Sequence, residues 1–192
     1  MQNLNKETLL AGPKKGKLKP EIVMGISVFE LAELYPEFFE SVFNVEIDFL
    51  GSMIMIADSR RYLPIFIPAR FMCSLKEPRG GTNDSFAHAY IALTLAIKEP
   101  LLCELEKIDT IPRKNKLLTA REGFIFFNFF KWLTGEELNP KHILLTSSFY
   151  QGGERAGVYF DDCDGCAKIS PLEHLVSSGY QICYRFEKAG EK

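Results

Sequence analysis

Ten residues in the middle of the chain, Phe124 to Leu133, constrain the fold more than any other stretch. In FIFFNFFKWL eight of the ten side chains are apolar, five of them phenylalanine and one tryptophan, and the two polar residues are Asn128 and Lys131. The signals on either side set the secondary structure. Thr119-Ala120-Arg121-Glu122 has the hydroxyl-to-carboxylate spacing of a capping box, and Gly135 supplies a left-handed stop. The two polar residues stand three apart and so share one narrow helical face. Core packing is the expected role, because aromatic side chains bury large areas. An apolar-ligand surface using Phe127, Phe130 and Trp132, or a dimer interface, is the functional alternative.

Upstream, SVFELAELYPEFFESVF reads as helical from Ser27, interrupted by Pro36. Either two helices abut there or one kinks, and the preserved charge register favours the kink. Its acids Glu30, Glu33, Glu37 and Glu40 fall on one face, while Phe29, Leu34, Phe38 and Phe39 occupy others. VEIDF (45–49) alternates like a half-buried strand, MIMIA (53–57) suits a covered strand, and LPIFIPARFMC suits an edge strand because of Pro64 and Pro68. FAHAYIALTLAIKE reads as a second apolar helix capped by Asp84 or Ser85, continuing past Pro100 into PLLCELEKID. The final third reads as strand (HILLTSSFY), glycine turn, strand (VYFDD), turn, strand (CAKIS), a short helix (PLEHLVSS) and strand (YQICYRF). For that short helix Ser170, Pro171 and Glu173 supply the start signals.

These segments sum to an α+β fold: mostly antiparallel sheet in two strand groups, about 45–73 and 142–187, packed against two or three apolar core helices. One domain over residues 21–192 is expected, preceded by a mobile basic arm over 1–20 that holds five lysines against one glutamate. From Glu21 to Asp58 there are eight acids and no Lys or Arg. A net charge of −2 supplies no global basic field, so nucleic acid is not a favoured partner. No secretory leader pattern stands at the start, and no apolar run approaches the roughly 18 residues of a membrane span. The expected setting is soluble and cytoplasmic, with the five cysteines as reduced thiols.

FDDCDGC, Phe160 to Cys166, carries the one C-x-x-C spacing in the chain. Asp164-Gly165 is a strong hairpin signal, and pairing about it sets Cys163 opposite Cys166 and Asp161 opposite Lys168, with both thiols on the polar face. A hairpin tip is the simplest reading. Zinc held by Cys163, Cys166, Cys183 and His174, at loose spacing, and a redox or regulatory dithiol are the two chemical ones.

Two glycine loops share an anion-binding chemistry, Arg79-Gly80-Gly81-Thr82 and Gly152-Gly153-Glu154-Arg155, since glycine lets amides approach an anion that arginine can clasp bidentately. His88, with Asp84 four residues earlier, has the elements of a general base and its orienting carboxylate, or of a hydrogen-bonded core histidine. Nucleophile elbows, H-E-x-x-H and G-x-G-x-x-G are absent from the sequence. The favoured reading is accordingly a noncatalytic binding or regulatory protein that uses an aromatic-lined cavity or surface for a protein partner, for self-association or for a small apolar ligand, with no cofactor. Two alternatives stay open: an enzyme acting on an anionic small molecule through His88 with Arg79 and Arg155, and a thiol- or zinc-dependent regulator.

Overall fold

A computed structural model of the chain describes residues 28–47, 62–68, 71, 90–95, 101–103, 117–137, 142–161, 163, 165–175, 180–182 and 185–186. They form a mixed α+β architecture: α1 (Val28–Phe43), β1 (Tyr62–Ile67), β2 (Tyr90–Leu95), β3 (Leu101–Cys103), α2 (Ala120–Thr134), β4 (Ile143–Phe149), β5 (Arg155–Phe160), β6 (Ala167–Pro171), β7 (Tyr180–Ile182) and β8 (Arg185–Phe186). The strands make a three-stranded antiparallel sheet in the order β1-β2-β8 and a five-stranded sheet in the order β3-β7-β4-β5-β6. In the larger sheet β4 and β7 run parallel and the other pairs antiparallel.

The capping box forms as the sequence dictates. Thr119 Oγ1 accepts from the Glu122 amide at 3.2 Å, and Glu122 Oε2 accepts from the Thr119 amide at 2.8 Å. Gly135 closes the helix at φ 76°. Every residue of α2 from Ala120 to Phe130 is buried. Phe127 and Phe129, two residues apart, point to opposite sides of a helix that turns 100° per residue. Phe127 stacks on Phe160 of β5 at 5.2 Å, and Phe129 stacks on Tyr35 of α1 at 4.2 Å. As far as Phe130, a helix so placed has no side left for water, which is why its sequence is apolar nearly all round.

α1 is one continuous helix through Pro36. Its buried stripe of Leu34, Tyr35, Phe38 and Phe39 joins β1 and α2 in a single aromatic core. Burial pushes the Tyr35 phenol far above its ordinary pKa, and a backbone hydrogen bond at Phe66 acts in the other direction. Asn44, at φ 53°, ends the helix by donating to the Glu40 carbonyl at 3.0 Å.

Four expectations are corrected. Residues 45–47 form no strand: Val45 and Ile47 are half-buried against the core and Glu46 is exposed, so the alternation sets burial without a hydrogen-bonded ladder. Within the helix expected across 86–99, the described residues Tyr90–Leu95 are instead β2, the middle strand of the smaller sheet, and Leu101–Cys103 of its expected continuation is β3. A short apolar run satisfies a covered strand as well as a buried helix, and Tyr90, Ile91 and Thr94 tip it toward strand. Within the helix expected at 171–178, the described residues form a 3-10 turn, Leu172–His174, without a side-chain cap. Ser170 is engaged in the β6 ladder opposite Gly157 and Pro171 is still strand. The last strand divides in two, with β8 leaving the larger sheet to pair with β2. The MIMIA segment lies outside the described residues. As expected from its prolines, β1 is an edge strand.

Thr119→Ala is expected to lower stability in urea unfolding by about 1–2 kcal/mol, while Thr119→Ser retains most of it.

Candidate functional site

Asn128 and Lys131, the polar stripe of α2, both reach toward the β5–β6 hairpin. Asn128 is buried, donates through Nδ2 to the Phe124 carbonyl at 3.0 Å and accepts at Oδ1 from the Ala167 amide at 3.0 Å. Lys131 is half-buried, with its ammonium 2.6 Å from Glu137 and 5.5 Å from the Phe160 ring centroid, and it donates to the Gly165 carbonyl. The helix thus fixes where β6 starts. The narrow polar face was legible in the sequence, but its target was not, because the partners are backbone groups more than thirty residues away.

The hairpin is consequently shifted from the expected register. Phe160 pairs with Ala167 and Tyr159 with Lys168, and the Asp161 amide donates to the Cys166 carbonyl at 3.1 Å. Residues 162–165 make the connection, four residues rather than two. The slip is two residues relative to β6, so every side chain keeps its expected face. Asp161 meets Lys168 diagonally and still forms the ion pair. It also accepts from the Cys163 amide at 2.8 Å, an Asp-initiated turn that favours the longer loop. Gly165 sits at φ 63°, where a Cβ would collide with Lys131 Nζ. Cys163 and Cys166 are both exposed.

The Gly152-Gly153 turn is exposed, with Gly153 at φ 91° donating its amide to Tyr150. Arg155 is directed back into its own hairpin: it donates to the Thr146 carbonyl at 3.3 Å and lies 5.0 Å over the Phe149 ring. This serves an irregularity in the β4–β5 register between Leu145 and Phe149. Thr146 Oγ1 donates to the Ala156 carbonyl at 2.7 Å, and Ser148 Oγ accepts from the Ala120 amide at 3.0 Å, joining the irregular strand to the start of α2.

Phe127 and Phe130 are core residues, and Trp132 is half-buried against Phe38 and Phe129. His174 is exposed, its Nε2 3.7 Å from Glu173. Asp84, His88, Arg79, Gly80, Gly81 and Cys183 lie outside the described residues. Ile182, which precedes Cys183, is in β7, separated from β6 by β4 and β5, or about 14 Å at ordinary strand spacing. Among the described residues no three His, Cys, Asp or Glu side chains gather as a metal-holding group.

One surface divides cleanly from the core. Glu33, Glu37 and Glu40 are exposed on α1, opposite the buried Leu34, Tyr35, Phe38 and Phe39. The ion pairs among the described residues, Lys131–Glu137, Lys168–Asp161 and His174–Glu173, involve none of these three acids. No helix among the described residues is long and apolar enough to cross a membrane. Comparisons with protein-family models, with curated proteins and with solved structures found no match to this chain.

Asn128→Ala leaves the buried Ala167 amide without its acceptor and is expected to cost about 1–3 kcal/mol in denaturant unfolding. Asp161 is held below the ordinary aspartate pKa, first by Lys168 and then by the Cys163 amide. A depressed folded-state value adds stability above the unfolded pKa, and this is lost as pH falls through the lower, folded one. A carboxyl NMR titration is expected to show Asp161 ionising below its ordinary range and moving back toward it in Lys168→Met.

Proposed function

We propose that this chain is a noncatalytic protein-recognition domain whose acidic α1 face binds a basic segment of a partner protein. The observation that supports it most is the division of α1: its aromatic stripe is sealed in the core, while Glu33, Glu37 and Glu40 stand exposed in a segment, 21–58, that has no Lys or Arg. Like charges at three- and four-residue spacing repel and cost a helix a few tenths of a kcal/mol per pair. A face held at that cost suits a role in complementarity, where charge steers encounter and selects partners. Phe127 and Phe130, whose alternative reading was an apolar-ligand surface, are buried in packing, which supports looking for recognition on the helix exterior.

The test is calorimetric titration of the full chain with Lys/Arg-rich peptides. Binding is expected to weaken steeply as salt rises from ~0.05 to ~0.5 M, as screening demands. The triple variant Glu33→Gln, Glu37→Gln, Glu40→Gln is expected to lose binding by about tenfold or more while unfolding at equal or slightly higher denaturant. Equal binding by the triple variant, or no binding of any basic peptide by the wild type, would contradict the proposal.

A further inference from the structure

We propose that Cys163 and Cys166 form a reversible thiol–disulfide couple at the β5–β6 tip, oxidised by a hydroperoxide. Both side chains are exposed, between a strand end, Phe160, and a strand start, Ala167, that are buried. They stand three apart in one tight connection. The Asp161 amide closes it on the Cys166 carbonyl, and the Gly165 amide returns to the Asp161 carbonyl at 2.7 Å. Three residue steps span at most about 11 Å of extended chain, the two bonds that close the connection fold it back well within that limit, and a disulfide spans about 4.4–6.8 Å between Cα atoms.

The surroundings hold this loop in place. Asp161 is anchored by Lys168, and the Gly165 carbonyl by Lys131 from the last turn of the central helix. Position 165 favours glycine by its φ of 63°, a conformation that L side chains rarely adopt. The Cys163 amide donates to Asp161 Oδ1 at 2.8 Å, which sets a carboxylate beside this cysteine, and a negative charge there opposes a thiolate. Cys166 is therefore assigned the first attack and Cys163 the second.

The chemistry balances with the hydroperoxide as the two-electron oxidant. The Cys166 thiolate attacks the terminal oxygen, the S–O bond forms, the O–O bond breaks, and the alkoxide leaves as an alcohol after taking a proton. The Cys163 sulfur then attacks the sulfenic sulfur, its proton passing by way of Asp161 to the departing hydroxide, so that the S–S bond forms and water leaves. Two thiols and one hydroperoxide become one disulfide, one alcohol (water when the oxidant is hydrogen peroxide) and one water.

The test treats the full chain with one equivalent of hydrogen peroxide and follows intact mass and peptide maps. The expected product has lost two hydrogens, carries a Cys163–Cys166 link, is restored by dithiothreitol, and forms faster in the folded protein than in the urea-unfolded chain. Cys163→Ser is expected to stop at a sulfenic acid on Cys166 that dimedone captures, and Cys166→Ser to react about tenfold more slowly. A link to Cys73, Cys103 or Cys183 instead, sulfinic acid without a disulfide, or equal rates folded and unfolded would overturn the proposal. None of these readouts depends on the acidic face of α1.

Discussion

The burial of α2 on all sides is the constraint on which the rest of the structure depends. A helix that turns phenylalanines toward both a sheet and another helix must be enclosed, and its enclosure dictates the layers around it: α1 on one side, β4, β5 and β6 on another, and β1 also in contact. Each buried phenylalanine contributes on the order of 2 kcal/mol from area alone. The rings also meet in stacked and edge-on pairs that add to this, as Tyr35–Phe129 and Phe38–Phe129 do. Enclosure creates a second demand, because Asn128 is carried inside with the phenylalanines. The Ala167 amide and the Phe124 carbonyl meet that demand, so a polar residue in an apolar helix sets the register of a hairpin.

A similar division between packing and polar satisfaction governs the other end of α2. Its first amides are reached by Thr119 and by Ser148 from the irregular part of β4, and the Ser147 amide donates to the Leu118 carbonyl. The departure of β4 from regular pairing with β5 is thus matched by bonds to the segment that leads into the helix. Gly157 belongs to the same logic, since a Cβ there would stand 2.7 Å from Ile143 and 2.8 Å from Leu172. Only a bare backbone lets the 3-10 turn lie that close to β5.

Those features written in local chemistry were legible in the sequence: the Thr119–Glu122 box, the Gly135 stop, the edge placement of the Pro64 strand, and the outward acids and inward aromatics of α1. Features decided by distant partners were not. YIALTL leans only weakly toward strand, through Tyr90, Ile91 and Thr94, until β1 and β8 flank it. Asp164-Gly165 favours a two-residue turn in isolation, yet Asn128 and the Asp161 side chain hold the pairing two residues away from that register. Val45 and Ile47 show the converse, a strand-like alternation that reflects burial alone. At the candidate site, the sequence separated Cys163, Cys166 and His174 as accessible groups, and all three are exposed, whereas the contacts of Arg155 with the Thr146 carbonyl and the Phe149 ring depend on the fold and were not legible.

The glutamate face of α1, proposed for recognition, and the hairpin tip, proposed for thiol chemistry, are both outward features fastened to the same central helix. Native-state hydrogen exchange of the α2 amides tests that dependence most directly. If α2 organises the fold, amides from Phe124 to Phe130 exchange only by global unfolding, with the free energy and denaturant dependence of the whole molecule. Exchange of those amides through a smaller opening, while β4 and β5 stay protected, would contradict it.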